Sequence, residues 1–120
     1  MNPTELKDKT HLWFKAFNTK DLELLLSLYD EQAQHYSPKL IIKHPETKGL
    51  IKGKPALRAW WQDAFNNLPT LRYEIIDVMC DGTKVFMEYW RYNTGDETLR
   101  VGEVLEFKDG KIVASRVYHS

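Results

Sequence analysis

The spacing of apolar residues in the first half of the chain predicts three helices. Apolar side chains recur about every 3.6 residues over positions 5–18, and Thr4 stands where an N-cap hydroxyl would accept a free backbone N–H. Asp21 is placed in the same way before a second, shorter helix with leucines on nearly every side, which is typical of a helix buried between layers. A third helix is predicted to begin at Pro55, because proline fits a first helical turn, and to end before Pro69.

After Pro69 the pattern changes to runs of β-branched and aromatic residues separated by turns that contain glycine. The runs predict four antiparallel strands joined by hairpins, at about residues 71–80, 84–93, 98–108 and 111–119. An additional strand is predicted at Ala33–Ser37, and the segment 38–54 is interpreted as irregular, either a functional lid or a surface loop. Because the helices come first and the strands later, the order predicts an α+β domain with helices on one face of a curved antiparallel sheet.

The composition narrows the class of protein further. A chain of 120 residues, 42% of them apolar, has the length of one domain, so residues 1–120 are treated as a single domain. The 17 Lys and Arg side chains balance 17 Asp and Glu side chains, which argues against nucleic acid and membrane surfaces as partners. The only cysteine is Cys80, and the first residues are charged where a signal peptide would be apolar. These features predict a soluble, cytoplasmic domain.

Several short segments, taken in order, resemble the nuclear transport factor 2-like superfamily, in particular its SnoaL-like and ketosteroid-isomerase-like branches. The segments that carry the resemblance are Trp13–Asp21, Leu28–Asp30, Ser37–Pro38, Gly53–Arg58 and Phe107–Ile112. The resemblance implies a cystatin-like fold, in which a cone-shaped sheet wraps around the third helix and leaves an apolar cavity. It also implies a range of functions, since members serve as isomerases, cyclases, epoxide hydrolases, dehydratases or binding modules.

Alternation along the strands, combined with this resemblance, predicts which side chains face the cone. The predicted lining residues are Trp13, His35, Ser37, Phe86, Glu88, Trp90, Tyr92, Val101, Glu103, Leu105, Phe107, Ser115, Val117 and His119. An aromatic cavity with a few polar groups is the usual make-up of a pocket for a small hydrophobic molecule. No organic cofactor is expected, and the four histidines lack the close spacing of a metal site.

Glu103 is the leading candidate for a catalytic group. A carboxyl that faces an apolar cavity loses its water, so its pKa rises and it can act as an acid or a base. In the resemblance it falls where ketosteroid isomerases keep a protonated acid that stabilises an oxyanion. His119 is its predicted partner, with His35 as a second candidate, because the pKa of imidazole is about 6.5. The alternative is that Glu103 only pairs with Arg100, Arg116 or solvent and that each histidine is a structural, hydrogen-bonded residue.

The resemblance does not extend to every catalytic position of the ketosteroid isomerases. Ser37 stands where their catalytic base would lie, and Trp13 where their oxyanion-donating tyrosine would lie. A serine hydroxyl does not abstract a carbon-bound proton unaided, so the sequence argues against steroid isomerisation by that route.

The sequence leaves three functions open. The first is a cofactor-independent isomerase, cyclase, dehydratase or hydrolase that uses Glu103 and His119, and the second is a non-catalytic binder of a hydrophobic metabolite. The third is a partner-interaction module whose cone is filled by its own aromatic side chains, whereas a functional pocket should offer on the order of 300 Å3. A homodimer is also expected, through an outer sheet face that presents Val85, Met87 and Tyr89 beside Val104.

Overall fold

The computed structural model of the chain describes residues 1–119 and has an α+β architecture, with helices packed on one curved, open sheet. Its helices are α1 Pro3–Thr19, α2 Leu22–Ser27, α3 Pro38–Lys43 and α4 Lys54–Asn67. Its strands are β1 Tyr29–Tyr36, β2 Leu50–Lys52, β3 Arg72–Asp81, β4 Lys84–Tyr92, β5 Leu99–Lys108 and β6 Lys111–Tyr118. No helix in residues 1–119 is long and apolar enough to cross a membrane.

The predicted helices are confirmed, with one correction to a cap. Helix α1 begins earlier than predicted, so Asn2 rather than Thr4 is its N-cap, and the Asn2 Oδ1 accepts the Glu5 N–H at 2.8 Å. Asp21 caps α2 as predicted, because its Oδ1 accepts the Leu24 N–H at 3.0 Å. An Asx side chain ahead of a proline at the first helical position is the stronger start signal, which explains the shift.

All six strands form one sheet in the order β2-β1-β6-β5-β4-β3. The four strands predicted after Pro69 are confirmed as the antiparallel strands β3 to β6. The strand predicted at Ala33–Ser37 is longer, begins at Tyr29, and pairs with β6 in parallel. The sheet is therefore mixed rather than wholly antiparallel, because the long connection between β1 and β6 lets the chain return in the same direction.

The segment 38–54 is structured, which corrects the prediction of an irregular stretch. Ser37 caps α3, where its Oγ accepts the Lys39 N–H at 3.2 Å. A 3-10 turn at Pro45–Thr47 follows, and β2 then pairs with β1 so that Ile51 lies opposite His35. These elements are three to six residues long, which is too short for the periodicity of a helix or strand to appear in the sequence.

The inner face of β4 is the reverse of the predicted one. The buried side chains are Val85, Met87, Tyr89 and Arg91, whereas Phe86, Glu88, Trp90 and Tyr92 lie on the outer face. The register explains this, because Met87 is paired directly with Glu103 and directly paired residues share a face. Both alternating sets of β4 are rich in apolar residues, so alternation alone could not distinguish them.

Aromatic packing joins α1 to the inner face of the sheet. The ring centroid of Trp13 lies 4.3 Å from that of Phe17 and 5.8 Å from that of Tyr73, and Tyr73 lies 4.5 Å from Tyr89. Each such pair contributes about 0.5–1.5 kcal/mol beyond its buried area. The cluster gives the space between helices and sheet a rigid apolar wall.

Gly49 is required for the close approach of β2 to the Tyr36 ring. Its φ of +89° is left-handed, and an added Cβ would lie 2.7 Å from Tyr36 Cε2 and 2.9 Å from Ile41 Cγ1. Gly49→Ala is therefore expected to lower the free energy of unfolding by about 2–4 kcal/mol, from backbone strain together with overpacking. Urea unfolding followed by circular dichroism measures the loss.

Gly95→Ala is the matched control. Gly95 has nearly the same φ, +86°, but no other atom of the described residues lies within 4 Å of an added Cβ. Gly95→Ala is expected to lower the free energy of unfolding by backbone strain alone, about 1–2 kcal/mol. Equal losses in the two variants would contradict a steric role for the contact with Tyr36.

Candidate functional site

A cavity of about 240 Å3 lies between the helices and the inner face of the sheet. Its walls are largely aromatic and include Trp13, Phe17, Trp60, Trp61, Tyr73 and Tyr89. This volume is below the usual ~300–1,000 Å3 of a pocket for a drug-sized ligand. The cavity therefore suits a small ligand.

The structure brings together half of the predicted lining residues. Those that line the cavity are Trp13, His35, Ser37, Val101, Glu103, Val117 and His119. Leu105, Phe107 and Ser115 are buried in the interior below it. The prediction is wrong for Phe86, Glu88, Trp90 and Tyr92, which face away from the cavity because of the register of β4.

Glu103 is a buried carboxyl with one of its two oxygens engaged. Its side chain lies on β5, is 1% exposed, and its Oε1 accepts the Tyr89 hydroxyl at 2.8 Å. Its Oε2 has no hydrogen-bond partner among residues 1–119. Burial raises the pKa of Glu103 to about 8, an effect that the Tyr89 hydrogen bond partly offsets, so the carboxyl is protonated at neutral pH.

The acid proton of Glu103 has a defined position. Because the Tyr89 hydroxyl donates to Oε1, the proton of the neutral acid belongs on Oε2. The alternative pairing of Glu103 with a surface arginine is not found, since Arg100 binds Glu88 at 3.0 Å and Arg116 binds Glu106 at 2.8 Å. Glu103 thus carries a buried O–H donor at the wall of the cavity.

A chain of buried hydrogen bonds fixes the protonation of His35. The indole Nε1–H of Trp13 donates to the Tyr29 hydroxyl at 3.1 Å, and Tyr29 donates to Ser115 Oγ at 3.0 Å. Ser115 Oγ lies 2.6 Å from His35 Nδ1. Each hydroxyl proton in this chain has an acceptor when Ser115 donates to Nδ1, which places the ring proton on Nε2. Burial lowers the pKa of His35 to about 3, so the ring stays neutral and offers an N–H donor.

His119 lines the same cavity as Glu103. It follows directly after β6, on which Val117 is paired with Glu103. Alternate residues of a strand share a face, so His119 is a diagonal neighbour of Glu103, with about 7–8 Å between their Cα atoms. The imidazole and the carboxyl can therefore address different atoms of one small ligand.

Sequence reasoning missed Tyr89 and Arg91, which both reach the cavity from the inner face of β4. The signal that could have found them is the hairpin between β4 and β5. Once Glu103 is taken as inward-facing, its direct partner Met87 must also be inward, and Tyr89 and Arg91 follow at alternate positions. The turn at residues 93–98 lacks a short, recognisable hairpin type, so the sequence did not fix this register.

The raised pKa of Glu103 makes stability depend on pH. The folded protein keeps a proton that the unfolded chain, with an ordinary pKa of 4.5, has released, so stability falls as the pH rises from about 4.5 to about 8. We expect the wild type to lose stability relative to Glu103→Gln over this window, by at most ~1.4 kcal/mol per pH unit. Urea unfolding of both proteins at several pH values measures the difference.

This comparison contains its own control. Both proteins carry His35, so the opposite pH dependence that its lowered pKa causes in acid cancels in the difference. A difference in stability that stays constant between pH 5 and pH 8 would contradict a raised pKa for Glu103.

Comparison with known proteins agrees with the fold. A SnoaL-like protein of unknown function from Burkholderia thailandensis E264 superposes with a TM-score of 0.88 at 23% identity, over 99% of this chain and 97% of that chain. A candidate polyketide cyclase from Sinorhizobium meliloti gives a TM-score of 0.80 at 17% identity, over 98% and 100%. A candidate ketosteroid isomerase from Kribbella flavida DSM 17836 gives 0.78 at 18% identity, over 98% and 78%. No curated protein matches the chain.

These structures share the cone-shaped, nuclear transport factor 2-like fold that the sequence predicted. Sequence identities this low support a shared fold and no shared activity. The family model of the SnoaL-like domain matches residues 11–115, which is most of the chain. By that match, the protein belongs to the SnoaL-like family.

Proposed function

We propose that the cavity binds a small, largely apolar carbonyl compound and that Glu103 and His119 catalyse proton transfer on it without a cofactor. The observation that carries this proposal is the buried Glu103, protonated at neutral pH, with Oε2 lacking a partner among residues 1–119. An unpaired buried polar group costs about 1–3 kcal/mol, and a ligand oxygen at Oε2 would remove that cost. The site is thus built for a hydrogen-bond acceptor.

The proposed chemistry is enolisation. His119 takes a proton from the carbon next to the carbonyl, and the electron pair of the broken C–H bond forms a C=C bond. The carbonyl π electrons move to the oxygen, where the Oε2–H of Glu103 and the Nε2–H of His35 stabilise the developing charge. In a substrate with a C=C bond next to the enol, return of the proton from His119 to the far carbon of that bond gives an isomer. In a substrate with a second carbonyl in the same molecule, attack of the enol carbon on it closes a ring, and the new alkoxide takes the proton from His119.

Two structural neighbours support a carbonyl substrate, because the names polyketide cyclase and ketosteroid isomerase both refer to ketones. The size of the cavity points to a small compound. The proposed activity is therefore that of an isomerase or cyclase for small ketones, with dehydration or hydrolysis as related reactions of the same acid–base pair.

Binding without turnover is the competing function. A cone filled by its own side chains is disfavoured, because Phe86 and Trp90, expected to occupy it, lie on the outer face and leave the cavity open. A non-catalytic pocket would use the same Glu103 hydrogen bond but would not need His119 as a base. Measurement of proton transfer separates the two functions.

We expect the wild type to accelerate exchange of the α-protons of cyclopentanone and cyclohexanone in D2O. General acid–base groups contribute about 10²–10⁴ in rate, so Glu103→Gln and His119→Gln should each slow the exchange at least about a hundredfold. Proton NMR follows the exchange, and thermal shift measured on the same samples reports binding.

Glu88→Gln is the control, since Glu88 lies on the neighbouring strand but on the outer face. It should exchange at the wild-type rate. Exchange by Glu103→Gln at the wild-type rate would remove Glu103 from the mechanism. Binding that depends on Glu103 without any exchange in the wild type would favour the non-catalytic pocket.

We also propose that two copies of the chain associate through the outer face of the sheet. The face differs from the predicted one, since Val85, Met87 and Tyr89 are buried, and it exposes Met79, Phe86 and Tyr118 instead. Two ion pairs lie within this face, Arg100 with Glu88 and Arg116 with Glu106. These charges would be partly compensated if an identical face packed on it.

Phe86→Glu is expected to convert a dimer to a monomer, because a carboxylate would be buried at the centre of the apolar face. Size-exclusion chromatography with light scattering gives the molar mass. Ile42→Glu is the control, since Ile42 is 77% exposed on α3, away from the sheet face. A monomeric wild type, or a Phe86→Glu variant that remains dimeric, would overturn this interface.

A further inference from the structure

We propose, resting on the function proposed above, that the ligand is an oxo acid whose carboxylate pairs with Arg91 at one end of the cavity while its carbonyl oxygen meets Glu103 at the other. The inference specifies the substrate class that the carbonyl chemistry alone leaves open.

Arg91 is a charged side chain that the fold withdraws from water. Its side chain is 7% exposed, and it lines the cavity from the inner face of β4. Its Nη1 lies 3.6 Å from Asp96 Oδ2, an oxygen that also accepts the Asn93 amide at 2.8 Å. A guanidinium carries five N–H donors arranged to bind a carboxylate through two parallel hydrogen bonds, and one long ion pair uses little of this capacity.

The charges that line the cavity together favour an anion. Three cations, Lys39, Lys43 and Arg91, face two carboxylates, Asp63 and Asp96, and the third carboxyl, Glu103, is neutral. Burial lowers the pKa of Lys39, and the nearby positive charge of Arg91 lowers it further. The two cations therefore repel each other. A single negative charge on the ligand would balance the excess, which fits a carboxylate better than a doubly charged phosphate.

The two ends are separated along the strands. Glu103 is paired with Met87, and Arg91 lies four residues further along β4, which is about 13 Å of strand. The Glu103 end is enclosed, whereas the Arg91 end lies beside the half-exposed carboxylate of Asp96. A ligand that enters carbonyl first would therefore leave its carboxylate at the Arg91 end.

The volume sets the size of the acid. A cavity of about 240 Å3 accepts a single ring with short substituents. A suitable probe pair is 4-oxocyclohexanecarboxylate and its neutral amide, 4-oxocyclohexanecarboxamide, which have the same ketone and the same number of non-hydrogen atoms and differ in charge.

Isothermal titration calorimetry of both probes against the wild type, Arg91→Gln and Arg91→Lys tests the inference. The wild type should bind the acid roughly tenfold to a hundredfold more tightly than the amide, as expected for a charge-assisted hydrogen bond. Arg91→Gln should lose this preference while keeping its affinity for the amide, and Arg91→Lys should keep part of it. Arg100→Gln, on the outer face, is the control and should behave as the wild type.

Each other outcome overturns the inference and separates it from the proposed function. Equal affinity of the wild type for acid and amide, or an acid preference that persists in Arg91→Gln, removes Arg91 as the anchor. Binding of neither probe overturns the oxo-acid assignment, and Glu103-dependent exchange of cyclohexanone would then show that the proposed function stands without it. If Arg91→Gln does not fold, as judged by circular dichroism, the preference for acid over amide in the wild type and in Arg91→Lys still tests whether Arg91 binds the carboxylate.

Discussion

Burial of the Glu103 carboxyl is the constraint on which the rest of the site depends. The strands and helices around it exclude water, and Tyr89 supplies the hydrogen bond that holds one of its oxygens. In that environment the neutral acid is favoured over the carboxylate at neutral pH, so a residue that would be an anion on the surface becomes a proton donor. Tyr89 lies on the same face as Glu103 because Met87, two residues before it on β4, is paired directly with Glu103.

The aromatic side chains have two separate roles around this carboxyl. Trp13, Phe17, Tyr73 and Tyr89 pack ring against ring and keep the wall of the cavity dry and rigid. Trp13 also begins the hydrogen-bond chain through Tyr29 and Ser115 that orients His35. Trp13, at a position that family resemblance connects with direct oxyanion contact, donates here to Tyr29, and its ring is part of the core.

The cavity has unlike ends, and this polarity follows from strand alternation. The inward side chains of β4 change in character along the strand, in the order Val85, Met87, Tyr89 and Arg91. The apolar Val85 and Met87 lie at the end where Met87 is paired with Glu103, and the guanidinium of Arg91 lies at the other end. A small molecule with one charged and one neutral oxygen-bearing end would be bound in a single orientation. Such a site fits a superfamily in which one cone-shaped scaffold carries many reactions, because the scaffold fixes the cavity and individual inward positions fix the chemistry.

The sequence by itself determined the three longer-range features of its first half, helices α1, α2 and α4, together with the four hairpin strands and the resemblance to this fold, because amphipathic periods, proline and glycine are local signals. Strand alternation, with the resemblance to choose between the two faces, also identified Glu103, His119 and His35 as inward residues, and Trp13 on the first helix with them. It failed for Tyr89 and Arg91, because β4 is apolar on both faces and only its pairing with β5 decides which face turns inward. Tertiary structure alone decided the parallel pairing of β1 with β6, the donor chain to His35 and the unlike ends of the cavity, because each depends on residues far apart in the chain.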